Sequence, residues 1–333
     1  PSLVRIVGKP SPTCPWECAL SELGIYHLES VVWYPANSLV ETAHREMGQP
    51  VTPKQAGFWG RVPVVIRAVV VGIVIGMAAA NLWPILLLKL GIPRASVLEG
   101  LFLGGYIWWA RGGGPPQRWR ATRADSFRVG KLSGAQWFWG LLAAVFFAAT
   151  IHAALVVLFQ LMPFPAAAFH RGYDFSFIPT LPMRWLAVVV SAASAGICEE
   201  TGFRGYMQRP IERRHGAAIA ILVSSVFFTA IHLTKDWALI GMVPIILGAG
   251  ILLGALAHTS RTLIFCIVGH TLMDVGLFGY WWTQIAGTFS QRPISETGMD
   301  RTFAVACAVV VAALIVTILA IKKLRAITSH LPH

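Results

Sequence analysis

Val188 to Arg204 read VVVSAASAGICEETGFR: an apolar and small-residue run that ends abruptly in two adjacent carboxylates and, four residues after the second, an arginine. The run lacks the charged residues that alternate along a soluble amphipathic helix. It belongs to a chain of 333 residues of which 56% are hydrophobic and only 13% charged. A soluble domain carries about 25% charged residues. A chain this apolar would expose too much oily surface to water, so lipid is its expected solvent.

Working outward from this stretch, segments long enough to cross a bilayer recur almost to the end of the chain. A spanning helix needs about 20 mainly apolar residues. The expected spans are Val62–Trp83, Ala95–Ala110, Gly134–Leu161, Phe177–Cys198, Ala217–Leu233, Trp237–Ala257, Leu263–Trp282 and Phe303–Ile321. The second is short and holds Glu99, and without it the count falls from eight to seven. The fold class is therefore all-α: a polytopic transmembrane bundle of about eight spans around a polar cavity. Residues 1–58 read as a polar N-terminal tail, 59–325 as the membrane domain with a motif core at 181–282, and 326–333 as a short C-terminal tail. The tail shows no charged, apolar and small-residue succession of a cleaved signal peptide.

The formal net charge is +12, from 27 Lys and Arg against 15 Asp and Glu. Its distribution points to membrane topology and away from nucleic acid. Arg111, Arg118, Arg120, Arg123, Arg128 and Lys131 share one loop with a single acid, Asp125. Arg209, Arg213 and Arg214 follow the fourth span, and Lys322, Lys323 and Arg325 the eighth. With eight spans these clusters fall on one side, which the positive-inside rule assigns to the cytoplasm together with both termini. The expected location is a plasma membrane, the inner one in a bacterium. Three cysteines, Cys198, Cys266 and Cys307, lie in apolar segments as small hydrophobes. Cys14 and Cys18 have no second ligand pair, and an odd total of five argues against a disulfide framework.

Gly72-x3-Gly76, Gly100-x3-Gly104 and Gly250-x3-Gly254 are spaced for close helix packing in lipid. Arg67 and Arg184 read as cations reaching an interface from helix ends. Glu99 is expected to pair with Arg67 or Arg94. Trp108, Trp109 and the run Tyr280–Trp282 read as interfacial anchors. His152 reads as a satisfied packing residue.

Ionisable groups within spans cost about 2.5–3.5 kcal/mol each on insertion scales and mark function. Three clusters qualify: Glu199-Glu200-x3-Arg204, Phe228-x3-His232 and His270-x3-Asp274. Glu200 and Arg204, four apart, can pair on one helix face. Glu199, about 100° around the helix, is left to face a cavity. His270 and Asp274 share a face pointing into the bundle. Such a set can hold a divalent metal, or a water between a carboxylate base and an imidazole. Singly each has a plain structural explanation: a solvated helix end, a packed histidine, a local hydrogen bond. Three such costs within one membrane domain argue for a shared pocket.

In this order and spacing the three motifs resemble those of the CAAX-protease and bacteriocin-processing family, which includes the type II CAAX prenyl endopeptidases. The resemblance covers Leu181–Trp282. It implies an intramembrane endopeptidase, of metallo- or glutamate type, acting on membrane-associated peptides or proteins, prenylated CAAX substrates among them. It implies Glu199 as the general base aided by His232, Glu200 held by Arg204 with Phe228 beside them, and His270 and Asp274 at the oxyanion. With a metal, zinc by its donor preference, the ligands would come from Glu200, His232, His270 and Asp274; the chemistry also allows none. The family places Asn or Asp at position 274. An ionised Asp accepts hydrogen bonds only, so Asp274 suits a metal ligand or a protonated acid better than an oxyanion donor. A non-catalytic scaffold or immunity protein would lack one of these residues, and none is lacking. A proton- or cation-coupled transporter would show repeated halves, and no repeat is present.

Overall fold

The computed structural model describes residues 58–171, 175–238 and 240–329. The expected tail at 1–58 lies outside the described residues except for Phe58, as do Cys14 and Cys18. The described part is helical, and no strand occurs among its residues. Eight long helices follow in order: α1 (Val64–Ala80, continued by Leu82–Leu90), α2 (Ile92–Ala110), α3 (Gly134–Leu161), α4 (Leu181–Glu200), α5 (Ala217–His232), α6 (Val243–Ser260), α7 (Ile264–Gly276) and α8 (Arg301–Thr328). Six rods among the described residues are long and apolar enough to cross a membrane; α5, with 16 residues, is too short, and α2 is not among them. The expected count of about eight thus matches the helices present, of which six meet the criterion of a full span.

Local chemistry explains where the helices start and bend. Ser133 caps α3 through a reciprocal pair, its Oγ accepting from Gln136 N at 3.2 Å while Ser133 N donates to Gln136 Oε1 at 2.9 Å. This arrangement satisfies two of the N–H groups a helix start leaves unpaired. Asp300 caps α8 with a single bond, its Oδ1 accepting from Phe303 N at 2.8 Å. Pro182 and Pro244 sit in the first turns of α4 and α6, where a missing N–H costs nothing. Pro244 also explains why α6 begins at Val243 and not at the expected Trp237. At the other end α8 runs to Thr328, beyond the expected boundary at 325. α1 bends at Asn81, whose Nδ2 donates to Met77 O at 2.7 Å.

α4 does not stop after the glutamate pair. A π-helical turn, Thr201–Met207, and a further helix, Gln208–His215, continue it as one rod. Glu199 and Glu200 therefore lie inside a continuous helical element, and the solvated-terminus explanation for them fails. π-turns insert one residue into the helical ladder and occur often at functional sites.

The outward faces carry Ile66, Val74, Leu101, Val305, Val311 and Leu319, all exposed. The inside holds Glu99, Glu200, Arg204, Gln208, His270 and Asp274. This inverted polarity suits a hydrocarbon solvent.

Close packing of α1 on the π-turn depends on glycine. A Cβ at Gly202 would lie 2.5 Å from Gly72 O and 2.7 Å from Gly76 Cα. One at Gly196 would lie 3.1 Å from Ile267 O of α7. Gly250 and Gly254 likewise face Ser225, Gln208 and Ile221. The Gly100–Gly104 pair departs from expectation: a Cβ at either meets nothing within 4 Å, because that face of α2 looks outward.

Gly202→Val should therefore separate α1 from the π-turn. An overpacked contact costs about 1–3 kcal/mol, and here backbone opposes backbone. The expected result is a clear drop in melting temperature in detergent by fluorescence-detected gel filtration, with Gly100→Val unchanged. Equal stability of the two variants would contradict this packing.

Candidate active site

A cavity of about 430 Å³ lies between α1, α4, α5, α6 and α7. Glu199, His232, His270 and Asp274 all line it, with Phe228. Every residue of the three sequence motifs therefore lies in this cavity or directly behind it.

Behind it, Glu200 and Arg204 are both fully buried, with Arg204 Nη1 3.0 Å from Glu200 Oε1. Arg204 Nη2 also donates to Gly250 O of α6 at 3.3 Å. The Arg204 guanidinium sits 4.4 Å from the ring centroid of Phe228, a cation–π contact strengthened by the absence of water. The Phe in the second motif thus backs the arginine and packs edge-on to Phe203.

The same Glu200 oxygen accepts from His270 Nδ1 at 2.8 Å. A carboxylate oxygen can only accept here, so Nδ1 carries the proton. His270 Nε2 lies 3.5 Å from Asp274 Oδ2 on the next turn of α7, longer than a hydrogen bond. His270 and Asp274 are nearly completely buried. Gly196 allows α7 to approach α4 closely enough for these contacts.

His232, at the last turn of α5, donates from Nδ1 to Phe228 O at 2.7 Å. A carbonyl cannot donate, so this bond fixes the tautomer and leaves Nε2 as the ring's remaining acceptor. The ring packs on Phe228 and Trp237. Glu199 Oε2 is a buried carboxylate oxygen with no hydrogen-bond partner, as is Glu200 Oε2; of the two residues, Glu199 is the one that lines the cavity. A carboxylate held among His232, His270 and Asp274 with one oxygen unengaged is placed to take a proton from a small molecule in the cavity.

The expected metal ligands were Glu200, His232, His270 and Asp274. Glu200 Oε1 serves both Arg204 and His270, and His232 Nδ1 serves its own helix. Among the described residues no three His, Cys, Asp or Glu side chains are grouped to hold a metal ion. The donor set as arranged does not fit one, so no chemical step is routed through a metal.

Several other residues differ from expectation. Glu99 is fully buried and pairs with neither Arg67 nor Arg94; its Oε1 accepts from Ser194 Oγ at 2.7 Å. Trp281 and Trp282 are not interfacial anchors: both are buried, Trp281 against Phe159 and Phe289, Trp282 at the cavity wall. Arg184 bonds Ile178 O at 2.9 Å, fastening the segment before α4. His152 is a packing residue as expected, its ring nitrogen bonding Met273 O at 3.0 Å. The cavity's polar wall also includes Ser191, which accepts from Trp83 Nε1 at 2.6 Å, and Ser194. Their i, i+3 spacing on the approach to Glu199 was a usable signal, masked by the apolar composition around it.

The stretch from α4 through the π-turn, α5 and α6 to the end of α7 matches a known family: residues 180–276 match the type II CAAX prenyl endopeptidase Rce1-like family. No curated protein and no solved structure matches the chain.

Removing one partner of a buried ion pair leaves an uncompensated charge and costs about 3–5 kcal/mol. Arg204→Ala should lower the melting temperature sharply, whereas Glu199→Gln should stay near wild type because Glu199 Oε2 has no bond to lose. Thermal unfolding of both variants in one detergent checks this; a stable Arg204→Ala protein would refute a structural role for the pair.

The apolar rods, the three ordered motifs converging on one cavity and the matched segment together support an integral, multi-pass membrane protein whose residues 180–276 match the type II CAAX prenyl endopeptidase Rce1-like family.

Proposed function

We propose that the chain is an intramembrane endopeptidase in which Glu199 is the general base. The observation that carries this reading is the orphan Oε2 of Glu199 in a cavity shared with His232, His270 and Asp274. Glu199 takes a proton from water while the water oxygen bonds the peptide carbonyl carbon. His232, its Nδ1 engaged by Phe228 O, helps orient that water through Nε2. The carbonyl oxygen becomes an oxyanion. His270, presented through Nδ1 by Glu200, offers Nε2 to it, since its contact with Asp274 is loose. When the tetrahedral centre collapses, the C–N bond breaks and Glu199 returns the proton to the leaving amine.

The walls support a membrane-associated substrate. Trp83, Leu87 and Phe175 line the cavity, and so does Leu88, which is 75% exposed on the outer face of α1. The cavity therefore reaches the lipid-facing surface beside the second half of α1. A substrate carrying a hydrocarbon group, of the prenylated CAAX type, fits an apolar entrance leading to a charged floor. The basic loop Arg111–Lys131 and the termini are assigned to the cytoplasmic side by their excess of cations.

General base catalysis contributes about 10²–10⁴-fold. Membranes expressing wild type should show new peptide termini that membranes with equal amounts of Glu199→Gln lack. Cleavage should persist in 1,10-phenanthroline, as expected of a carboxylate-activated water. Termini identical in both membranes would overturn the protease reading, and chelator inhibition reversed by zinc would overturn the metal-free step.

A further inference from the structure

On the loop that joins α2 to α3, an open groove of about 600 Å³ is lined by Trp108, Arg111, Gly113, Gly114, Gln117 and Arg120. The loop is a rigid object. Arg123, 2% exposed, donates to Trp109 O at 2.9 Å, Pro116 O at 2.9 Å, and Gly113 O and Gly114 O at 2.8 Å each. Four backbone oxygens that could otherwise neutralise neighbouring cations are thereby turned towards the loop's own interior. Trp109 stacks on Tyr206 of the π-turn, fastening the loop to the bundle.

Of the loop's six basic residues, two are committed internally: Arg123 to those carbonyls and Arg128 to Glu212 at 2.7 Å. The loop's single acid, Asp125, faces Arg209 and Arg213. Arg111, Arg118, Arg120 and Lys131 are all exposed, and none makes an ion pair among the described residues. Two of them, Arg111 and Arg120, stand in one groove. The fold holds the two like charges of Arg111 and Arg120 at one groove, although like charges repel.

Position supplies the partner. The groove begins at the last turn of α2, and Gly134, which opens the 28-residue α3, follows the loop directly. Such a loop lies at the membrane surface. Trp108 and Trp119, 61% and 51% exposed, flank the cations, and Arg118 lies over the Trp119 ring at 4.7 Å. Exposed tryptophan beside unpaired arginine matches the headgroup layer, with rings at the acyl boundary and guanidinium groups at phosphate level.

We infer that the Arg111–Arg120 groove binds a phosphate-bearing anion, the headgroup of an anionic phospholipid. Guanidinium forks pair with phosphate oxygens in two-point contacts, and the groove offers two of them on a fixed frame. The site lies outside the catalytic cavity and is independent of the proteolytic reading.

The test uses the full chain in nanodiscs of phosphatidylcholine with a minor share of phosphatidylglycerol, with bound lipid counted by native mass spectrometry. Each surface cation contributes about 1 kcal/mol to anionic-lipid attraction, so Arg111→Gln with Arg120→Gln should weaken phosphatidylglycerol retention about tenfold or more. Arg214→Gln, an exposed cation elsewhere, should leave retention unchanged. Inorganic phosphate that binds wild type but not the double variant, and displaces the lipid, would support the same groove with a soluble ligand. Retention equal in wild type and the double variant, or lost equally with Arg214→Gln, overturns the proposal. If the glutamine pair misfolds, Arg111→Lys with Arg120→Lys decides: lysines keep the charge and should keep most of the lipid, and complete loss in a folded lysine pair would also overturn it.

Discussion

Glu200 and Arg204 face each other at 3.0 Å in a place reached by neither water nor lipid. Two ions so placed are tolerable only when each has further partners. Arg204 finds them in the Phe228 ring and Gly250 O, and Glu200 in His270. Those partners belong to α5, α6 and α7, so a single pair on α4 draws three other helices to it. The glycines complete the arrangement from the outside: Gly72 and Gly76 bring α1 onto the π-turn, and Gly196 brings α7 onto α4. The desolvation of one ion pair thus constrains the bundle and, through His270, sets the floor of the cavity.

The division of labour within adjacent residues follows from the helical period. Glu200 turns inward, where its Oε1 serves both Arg204 and His270; Glu199, a rotation of about 100° away, lines the cavity. The structural member, Glu200, bears the cost of full burial. It holds His270 in one tautomer while Glu199 lines the cavity. His232 is prepared independently, by its own helix carbonyl. Two imidazoles with fixed protons therefore flank one carboxylate. Such preorganisation spares reorientation during reaction.

Much of this was legible in the sequence, and the reason is that the decisive relations are local. Glu200–Arg204, Phe228–His232 and His270–Asp274 are all i, i+4 pairs, which helical geometry alone brings together. The helical class followed from composition, and all eight apolar segments are helices. What stayed hidden depends on tertiary contact or on hydrogen-bond register. Nothing local marks the π-turn at Thr201–Met207, since its residues would also form an α-helix. Glu99 chose Ser194, 95 positions away, over two arginines nearby in sequence. Trp281 and Trp282, aromatic at the end of an apolar run, read as anchors but pack inward, because a π-turn at Leu277–Trp282 redirects that end of the helix. Gly100 and Gly104 have the spacing of a packing motif and no helix against them.

The two π-turns begin directly after the glutamate pair and three residues on from Asp274. A π-turn widens the ladder by one residue and weakens several backbone hydrogen bonds, a cost a membrane interior makes severe because no water replaces the lost partners. Its presence twice, on the two helices that supply the ion pair, Glu199 and His270, has a geometric reason. Glu200 must pair along its own helix and reach α7 at once, while α7 must present His270 to α4 and its following aromatics to the cavity wall. A regular helix repeats its directions every turn and cannot meet both demands over so short a distance. The irregular turns supply the change in direction, and Gly202 and Gly279 leave room for it against α1 and Trp185. The backbone irregularity and the buried charges are therefore one device: the charges require converging helices, and the π-turns let them converge without opening the backbone to lipid.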